Sequence, residues 1–189
     1  MIRVVHGKVE GHSMEKFGYI KRRPILGFII LPVTRYLRMV NVFKYIDISC
    51  RIKVLDIGCG DGYFLKKLKN ADGYGIDKLL GDDANKMDFN DSYFDIITML
   101  AVIEHIINPE KIIDEIYRVL KPGGKFIFTT PKESAEFFIN LYVNEIEDEH
   151  EIYYDYKKVE ELTKGKFRIV KNHNFIFGLN QVFYLEKIQ

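Results

Sequence analysis

The chain has no tryptophan and only two cysteines, Cys50 and Cys59, among its 189 residues. Two cysteines cannot form the multi-bridge framework of a small secreted domain or the four-ligand set of a structural zinc site. We therefore expect no disulfide scaffold and no metal, and we expect Cys50 to be a buried thiol.

A strong net charge is also lacking, because 28 lysines and arginines balance 27 acids to leave +1. Such a balance gives no field that would attract nucleic acid, so we expect no nucleic-acid partner. No apolar run approaches the ~20 residues of a spanning helix, and residues 1–13 are too polar for a secretory signal. The 47% hydrophobic content predicts one globular domain over 1–189, and we expect it to be cytoplasmic.

The most informative feature that is present is a glycine-rich turn, in the segment KVLDIGCGDG at residues 53–62. Apolar residues around Asp56 predict a buried strand, and Gly58, Gly60 and Gly62 follow it at alternate positions. Glycine lets the backbone approach a ligand where a Cβ would clash, and the next helix N-terminus would face that ligand. The spacing differs from the G-x-G-x-x-G of dinucleotide-binding turns, which disfavours an NAD-dependent reductase.

Four further motifs follow in order, and with them the sequence resembles the class I S-adenosylmethionine (SAM) dependent methyltransferases over residues 50–188. The motifs are YGID at 74–77, GDDA at 81–84, FDIITMLAVIEH at 94–105 and VLKPGGKFIFTTP at 119–131. The resemblance is to the small-molecule type, similar to the ubiquinone-biosynthesis and type 11 methyltransferases.

This resemblance implies SAM as the cofactor and distributes its parts along the motifs. Asp56 and the glycine loop would contact the methionine half, Asp77 both ribose hydroxyls, and Asp83 the adenine amino group. A carboxylate suits a diol because one ionised group can accept two charge-assisted hydrogen bonds. The implied cofactor-binding residues are Asp56, Gly58, Cys59, Gly60, Gly62, Asp77, Lys78, Asp83, Ala84, Leu100 and Glu104.

The order of elements predicts parallel strands joined by helical crossovers. Strands are expected near 53–57, 73–76 and 125–130, helices near 62–69 and 109–120, and two strands around a turn at 178–180. The resemblance implies a three-layer, Rossmann-like α/β sheet that is mostly parallel and ends in an antiparallel C-terminal pair. We divide the chain into an N-terminal helical cap (1–48), a SAM-binding core (50–131), a substrate or lid insertion (132–165) and a C-terminal strand pair (166–189).

The second crossover departs from the family pattern. Only five residues, 78–82, separate Asp77 from Asp83, whereas a strand-helix-strand crossover needs a dozen or more. We therefore expect the third strand and its preceding helix to be shortened or missing, which leaves about six strands. The second strand should then be an exposed edge, and the adenine end of the pocket should be open.

Two segments outside the cofactor core are candidates for substrate selection. Residues 24–46 are apolar but carry Arg35, Arg38 and Lys44, which fits either a helix that caps the sheet and SAM or a basic amphipathic element that touches an anionic membrane or lipid substrate. Residues 134–156 are rich in aromatic side chains and resemble the insertion that covers the acceptor pocket in related enzymes.

The function implied is transfer of a methyl group from SAM to a small-molecule acceptor, such as a lipid, a quinone-like compound or a sugar, on oxygen. If the acceptor is a hydroxyl that must lose its proton, His150 or His105 is the candidate base. The alternative is a protein that binds SAM or S-adenosylhomocysteine (SAH) without turnover and acts as a regulatory or partner-binding module. The sequence leaves the acceptor and the oligomeric state open.

Overall fold

The computed structural model describes residues 2–5, 8–10, 26–136 and 152–189. Its strands are β1 (Ile2–Val5), β2 (Lys8–Glu10), β3 (Ile52–Ile57), β4 (Ala71–Ile76), β5 (Phe94–Leu100), β6 (Leu120–Pro131), β7 (Phe167–Phe175) and β8 (Asn180–Lys187). Its α-helices are α1 (Leu26–Phe43), α2 (Pro109–Val119) and α3 (Tyr156–Thr163). Single 3₁₀ turns occur at Leu65–Lys67, Lys78–Leu80, Ile103–His105 and Glu133–Ala135.

The strands form one sheet in the order β2-β1-β4-β3-β5-β6-β8-β7. The central four strands, β4, β3, β5 and β6, are parallel, whereas β8 and β7 are added antiparallel at one side. This arrangement confirms the expected α/β fold with its C-terminal antiparallel pair.

The shortened second crossover is confirmed as well. Residues 77–93, which connect β4 to β5 and are all described, contain only the 3₁₀ turn Lys78–Leu80 and neither an α-helix nor a strand. The predicted helix near 62–69 is wrong, because this segment has only the turn Leu65–Lys67. Eight residues separate Gly62 from β4, and β4 must begin at Ala71 to pair with Ile52.

The prediction of six strands with β4 at the edge is also wrong. Strand β1 pairs antiparallel with β4, with Ile2 opposite Gly75 and Val5 opposite Asp72, and β2 pairs with β1 outside it. Within the described residues the sheet therefore has eight strands, and β1, near the start of the chain, takes the position next to β4. Part of the region that we expected to be a helical cap is thus β-structure.

Two layers of helices cover the two faces of the sheet. Along β3, Val54 faces a cluster that includes Met39 and Val42 of α1, whereas Leu55 faces a cluster that includes Ile113 and Ile116 of α2. The predicted helix after Pro109 is confirmed, with its apolar stripe fully buried. Among the described helices, none is both long enough and apolar enough to cross a bilayer.

Candidate functional site

The predicted cofactor loops all leave the same edge of three neighbouring parallel strands. Strand β3 lies between β4 and β5, with Ile57 opposite both Ile76 and Met99. The glycine loop follows β3, Asp77 follows β4, and the turn Ile103–His105 follows β5. In open α/β sheets, ligands bind at this carboxyl edge of the strands.

The glycine loop is held by main-chain bonds and is open on one side. The amides of Gly58 and Cys59 both donate to the carbonyl of Ile76, at 2.8 and 3.2 Å. Gly58 has a φ of +72°, and a Cβ there would lie 2.3 Å from Cγ2 of Val102. A Cβ on Gly60 would instead meet nothing within 4 Å. The first glycine thus admits a neighbouring side chain, and the second borders free space.

Asp77 joins this loop to the next one. Its Oδ2 accepts from the amide of Gly60 at 2.9 Å, and its Oδ1 accepts from the amide of Leu79 at 2.9 Å. Two N–H bonds leave further lone pairs on each carboxylate oxygen, because an ionised carboxylate can accept about four hydrogen bonds. Asp77 can therefore cap the turn Lys78–Leu80 and still bind two hydroxyl groups.

Two carboxyl groups at this edge are almost fully buried. Asp56 is 2% exposed, and its Oδ1 accepts from the hydroxyl of Thr98 at 2.7 Å. Burial raises the pKa of Asp56 to about 7, and the charge of Asp77 adds to this. Burial also raises the pKa of Glu104 to about 7, although the charge of Arg38 opposes it. The Oε2 atom of Glu104 has no hydrogen-bond partner among the described residues.

Helix α1 approaches the site from the face of the sheet that it covers. The guanidinium of Arg35 forms an ion pair with Asp61 of the glycine loop, with Nη1 3.3 Å from Oδ2. The same guanidinium lies 4.4 Å from the centre of the Tyr63 ring. The charge of Arg38, one turn further along, reaches Glu104. The C-terminal half of α1 thus contacts the glycine loop through Arg35 and acts on the turn after β5 through the charge of Arg38.

The remaining predicted cofactor residues differ in their placement. Asp83 is exposed and accepts from the amide of Asn85 at 2.9 Å, while Ala84 packs on the core. Lys78 is exposed in its 3₁₀ turn, and Leu100 is half-buried at the end of β5. Gly62 is buried, and its amide donates to the carbonyl of Cys59 at 2.9 Å.

The thiol of Cys59 points away from the open side of the loop. It is 5% exposed, and a Cβ on Gly75 of β4 would lie 2.6 Å from its sulfur. Burial raises its pKa, so it stays protonated and unreactive. Cys59 can contact a ligand only through its backbone. Cys50 is exposed rather than buried, because it lies in the bend before β3 and not in the strand.

Of the two predicted bases, only His105 is among the residues that the structure describes. His105 is exposed at the end of its 3₁₀ turn, on the carboxyl edge of the sheet. His150 lies outside the described residues, as do Phe137, Phe138 and Tyr142 of the predicted insertion. The described end of that insertion reaches the site, since the amide of Ile152 donates to the carbonyl of Glu104 at 3.4 Å. Tyr154 beside it is 4% exposed, and burial raises its pKa to about 12.

Several residues of the site were not among the cofactor-binding or catalytic residues predicted from the sequence. They are Arg35, Asp61, Thr98 and Val102, and the strained Ala101, whose φ of +58° turns the chain sharply after β5. Arg35 carries a usable signal, because a cation within an apolar helix needs a partner. Thr98 in β5 and Val102 just after it carry none, since β-branched residues are ordinary in strands and beside them.

The fold and this edge define an α/β protein of the class I methyltransferase type, and comparisons with known proteins agree. A family profile described as "Methyltransferase domain" matches residues 34–165. A sterol 4-C-methyltransferase of Caenorhabditis elegans is 31% identical over an alignment of 111 residues, with 46% of this chain and 33% of the relative covered. A ubiquinone biosynthesis O-methyltransferase of Coxiella burnetii is 28% identical over an alignment of 121 residues, with 51% of this chain and 52% of the relative covered.

Solved structures share the fold. Phosphoethanolamine N-methyltransferase 2 of Haemonchus contortus, in complex with SAM, superposes with a TM-score of 0.64 at 18% identity, over 82% of this chain and 53% of that one. A SAM-dependent methyltransferase of Aquifex aeolicus gives 0.59 at 19% identity, over 83% and 98% of the two chains. The chain spans a third to about half of the length of the curated relatives named above.

The chain therefore belongs to the methyltransferase domain family, within the class I SAM-dependent enzymes, and its cofactor is SAM. The residues at the edge fit that cofactor. SAM carries a sulfonium and an ammonium cation, and Asp56 and Glu104 are buried acids that gain from a positive partner. The free space beside Gly60 and the spare lone pairs of Asp77 fit a ribose.

Proposed function

We propose that this domain transfers the methyl group of SAM to an oxygen atom of a small acceptor that is lipid-like, quinone-like or a sugar. One observation carries the proposal. The open glycine loop, with Asp77 bound to its central amide, lies at the same edge as two buried acids. That combination suits a cationic nucleoside better than a phosphate, which the negative charges would repel.

When bound, SAM supplies a methyl group on a positively charged sulfur, which is already activated for transfer to a nucleophile. The chain's own residues then hold and orient the reactants. Asp77 binds the ribose diol, Asp56 and Glu104 compensate the positive charges, and α1 covers the glycine loop through Arg35. Orientation of two reactants alone can supply roughly 7–11 kcal/mol of barrier reduction.

The cofactor part of the proposal is tested by calorimetric titration with SAH. Asp77→Asn keeps one acceptor for an amide but loses the charge that strengthens the bonds to the diol. We expect it to weaken SAH binding tenfold to a hundredfold, about 1.4–2.8 kcal/mol. The control is Asp95→Asn, because Asp95 also accepts from a main-chain amide, that of Lys53 at 2.8 Å, at the opposite end of the sheet. Failure of the wild type to bind SAH would refute the proposal.

The acceptor part is supported by apolar side chains that surround this edge. Leu79 after β4, Ile107 after β5 and Phe177 between β7 and β8 are 56%, 70% and 102% exposed. Tyr36 of α1 adds a fourth, at 53%. Exposed apolar groups around a pocket favour a partly apolar substrate. The names of two relatives, a sterol 4-C-methyltransferase and a ubiquinone biosynthesis O-methyltransferase, agree with such an acceptor.

His105 and His150 remain the proposed candidates for the base. His105 is at the carboxyl edge, next to the buried Glu104. If it accepts the hydroxyl proton, His105→Gln should lower turnover at least tenfold and leave the affinity for SAH within twofold. An equal loss of SAH affinity would mean that His105 shapes the pocket instead. His150→Gln is the parallel variant and is judged by the same two measurements.

Contact of residues 24–46 with an anionic membrane is a separate proposal.

The alternative, SAM or SAH binding without turnover, makes the same prediction for SAH titration. It differs in an acceptor screen with hydroxylated lipids, quinols and sugars. Methyl transfer to any of them supports the enzyme, whereas tight SAH binding without transfer favours a regulatory or partner-binding module.

A further inference from the structure

The connection between β4 and β5 has no sheet or helix ladder to fix it, although it contains the predicted adenine contacts. Its first part is fastened to Asp77. The amide of Asp82 donates to the Asp77 carbonyl at 3.2 Å, and the amide of Asp77 donates to Oδ2 of Asp82 at 3.2 Å. Beyond Asp82, the bonds within the segment are short-range turns, such as Lys86 to Asp83.

The second part of this connection is bonded to helix α2 in two ways. At its end, the amides of Ser92 and Tyr93 donate to the carbonyls of Arg118 and Val119 at 2.9 and 2.7 Å. Before that point, the side chains of one ion pair hold the main chain. Arg118 donates from Nη2 to the carbonyl of Met87 at 2.9 Å and from Nη1 to the carbonyl of Phe89 at 2.7 Å. Glu115 accepts from the amide of Met87 at 2.8 Å through Oε2. Arg118 and Glu115 therefore bind both main-chain groups of Met87 and one of Phe89.

The two side chains are themselves held together. Arg118 donates from Nε to Oε1 and from Nη2 to Oε2 of Glu115, both at 2.8 Å, and from Nη1 to Asp91 at 2.8 Å. The side chain of Glu115 is 19% exposed and that of Arg118 is 33% exposed. The hydrogen bond with Arg118 lowers the pKa of Glu115, so the pair is ionised near neutral pH. A planar guanidinium can donate two parallel hydrogen bonds to one carboxylate and others to nearby carbonyls, whereas a lysine ammonium cannot match this geometry.

The anchored backbone also places apolar groups toward the site. The side chain of Met87 is 5% exposed, and Ala84 and Phe89 pack on the same core cluster as Ile57 and Ile76, whose strands end at the cofactor edge. Residues 83–86 consequently lie between two anchored parts of the chain. One part is bonded to Asp77, and the other is bonded to the Arg118–Glu115 pair.

We propose that Arg118 and Glu115 are positioning residues that set the adenine end of the cofactor pocket, in place of the missing crossover helix and strand. This inference rests on the proposed function, because it takes SAM as the ligand and residues 83–84 as its adenine contacts. Neither side chain needs to touch the cofactor. Their role is to fix the backbone that does.

The test compares two ligands by calorimetric titration. SAH has both halves of the cofactor, and 5′-methylthioadenosine has only the nucleoside half. Arg118→Met should weaken both ligands by the same factor, at least tenfold, because the loss is at the adenine end. Glu115→Gln should act in the same direction, and Arg118→Lys should recover only part of the affinity. Hydrogen exchange should quicken in residues 83–91 and stay unchanged in β3 and β5.

The matched control is Arg51→Met. Arg51 also donates two hydrogen bonds to one acid, Asp72, at 3.2 and 2.7 Å, at the opposite end of the sheet. Its variant should bind both ligands within twofold of the wild type.

If the wild type binds SAH and Arg118→Met binds both ligands with an affinity within threefold of the wild type, the positioning role is overturned and the proposed function stands. Equal losses in Arg118→Met and Arg51→Met would overturn the positioning role too, since they would show a general effect on stability. If Arg118→Met does not fold, Arg118→Lys and Glu115→Gln decide by the same criteria. A wild type that binds neither ligand would refute the proposed function and this inference together.

Discussion

Asp56 and Glu104 give the site an unusual sensitivity to pH. Burial raises the pKa of each from an ordinary 3.8 or 4.5 to about 7. Between about pH 4 and pH 7 the folded protein therefore holds protons that the unfolded chain has released. The stabilising contribution is full below about pH 4 and is lost as the pH rises through about 7.

Cofactor binding should instead favour the ionised form of these two carboxyl groups, because the ammonium group of SAH attracts an ionised carboxylate. We predict that SAH binding releases protons at pH 7 and strengthens from pH 6 to pH 8, by up to about tenfold per pH unit for each proton released. Calorimetry in two buffers with different ionisation enthalpies measures the number of protons.

Asp56→Asn is the informative variant, since an amide has no proton to release near pH 7. It should bind SAH more weakly and release fewer protons, while Asp95→Asn, at the other end of the sheet, should behave as the wild type. Equal SAH affinity of the wild type at pH 6 and pH 8 would contradict the role given to these acids.

At the scale of elements, the sequence was sufficient where one local pattern determines the structure. The apolar stripe of α2 after Pro109 predicted that helix, and the five residues between Asp77 and Asp83 predicted the missing crossover. The helix expected near 62–69 failed because the register of β4 with β3 limits the connection to a single turn. Strand β1 has only four residues, and nothing local indicates that its partner is β4.

The residues of the site likewise divide into those that a local sequence pattern predicts and those that depend on tertiary packing. The glycine loop, Asp56 and Asp77 could be predicted because they are contiguous with strands that have clear apolar patterns. The ion pair of Arg35 with Asp61 joins residues 26 positions apart, and the bonds of Arg118 to Met87 and Phe89 join residues about 30 apart. Such contacts depend on how α1 and α2 pack on the sheet, so a single sequence gives their charges but not their partners.

At the scale of the whole molecule, β1 changes which strand is exposed. Without it, the edge would be β4, and the main-chain groups of Gly73, Tyr74 and Gly75 that face β1 would be unpaired. Unpaired edges of this kind recruit strands from other molecules. The short β2 takes the outer position instead, and one antiparallel strand separates each edge strand, β2 and β7, from the four parallel strands.

We predict that a variant lacking residues 1–10 will associate more strongly than the full chain and will lose roughly 1–3 kcal/mol of unfolding free energy. Light scattering after gel filtration at several concentrations measures association, and urea unfolding measures stability. Arg3→Gln is the control, because it removes the guanidinium that lies 5.8 Å from the Tyr74 ring but keeps the strand pairing. If the truncated variant has the same mass and the same unfolding midpoint as the full chain, β1 does not protect the edge of β4. Since β4 leads directly into Asp77, the truncated variant should also bind SAH more weakly, and the control should not.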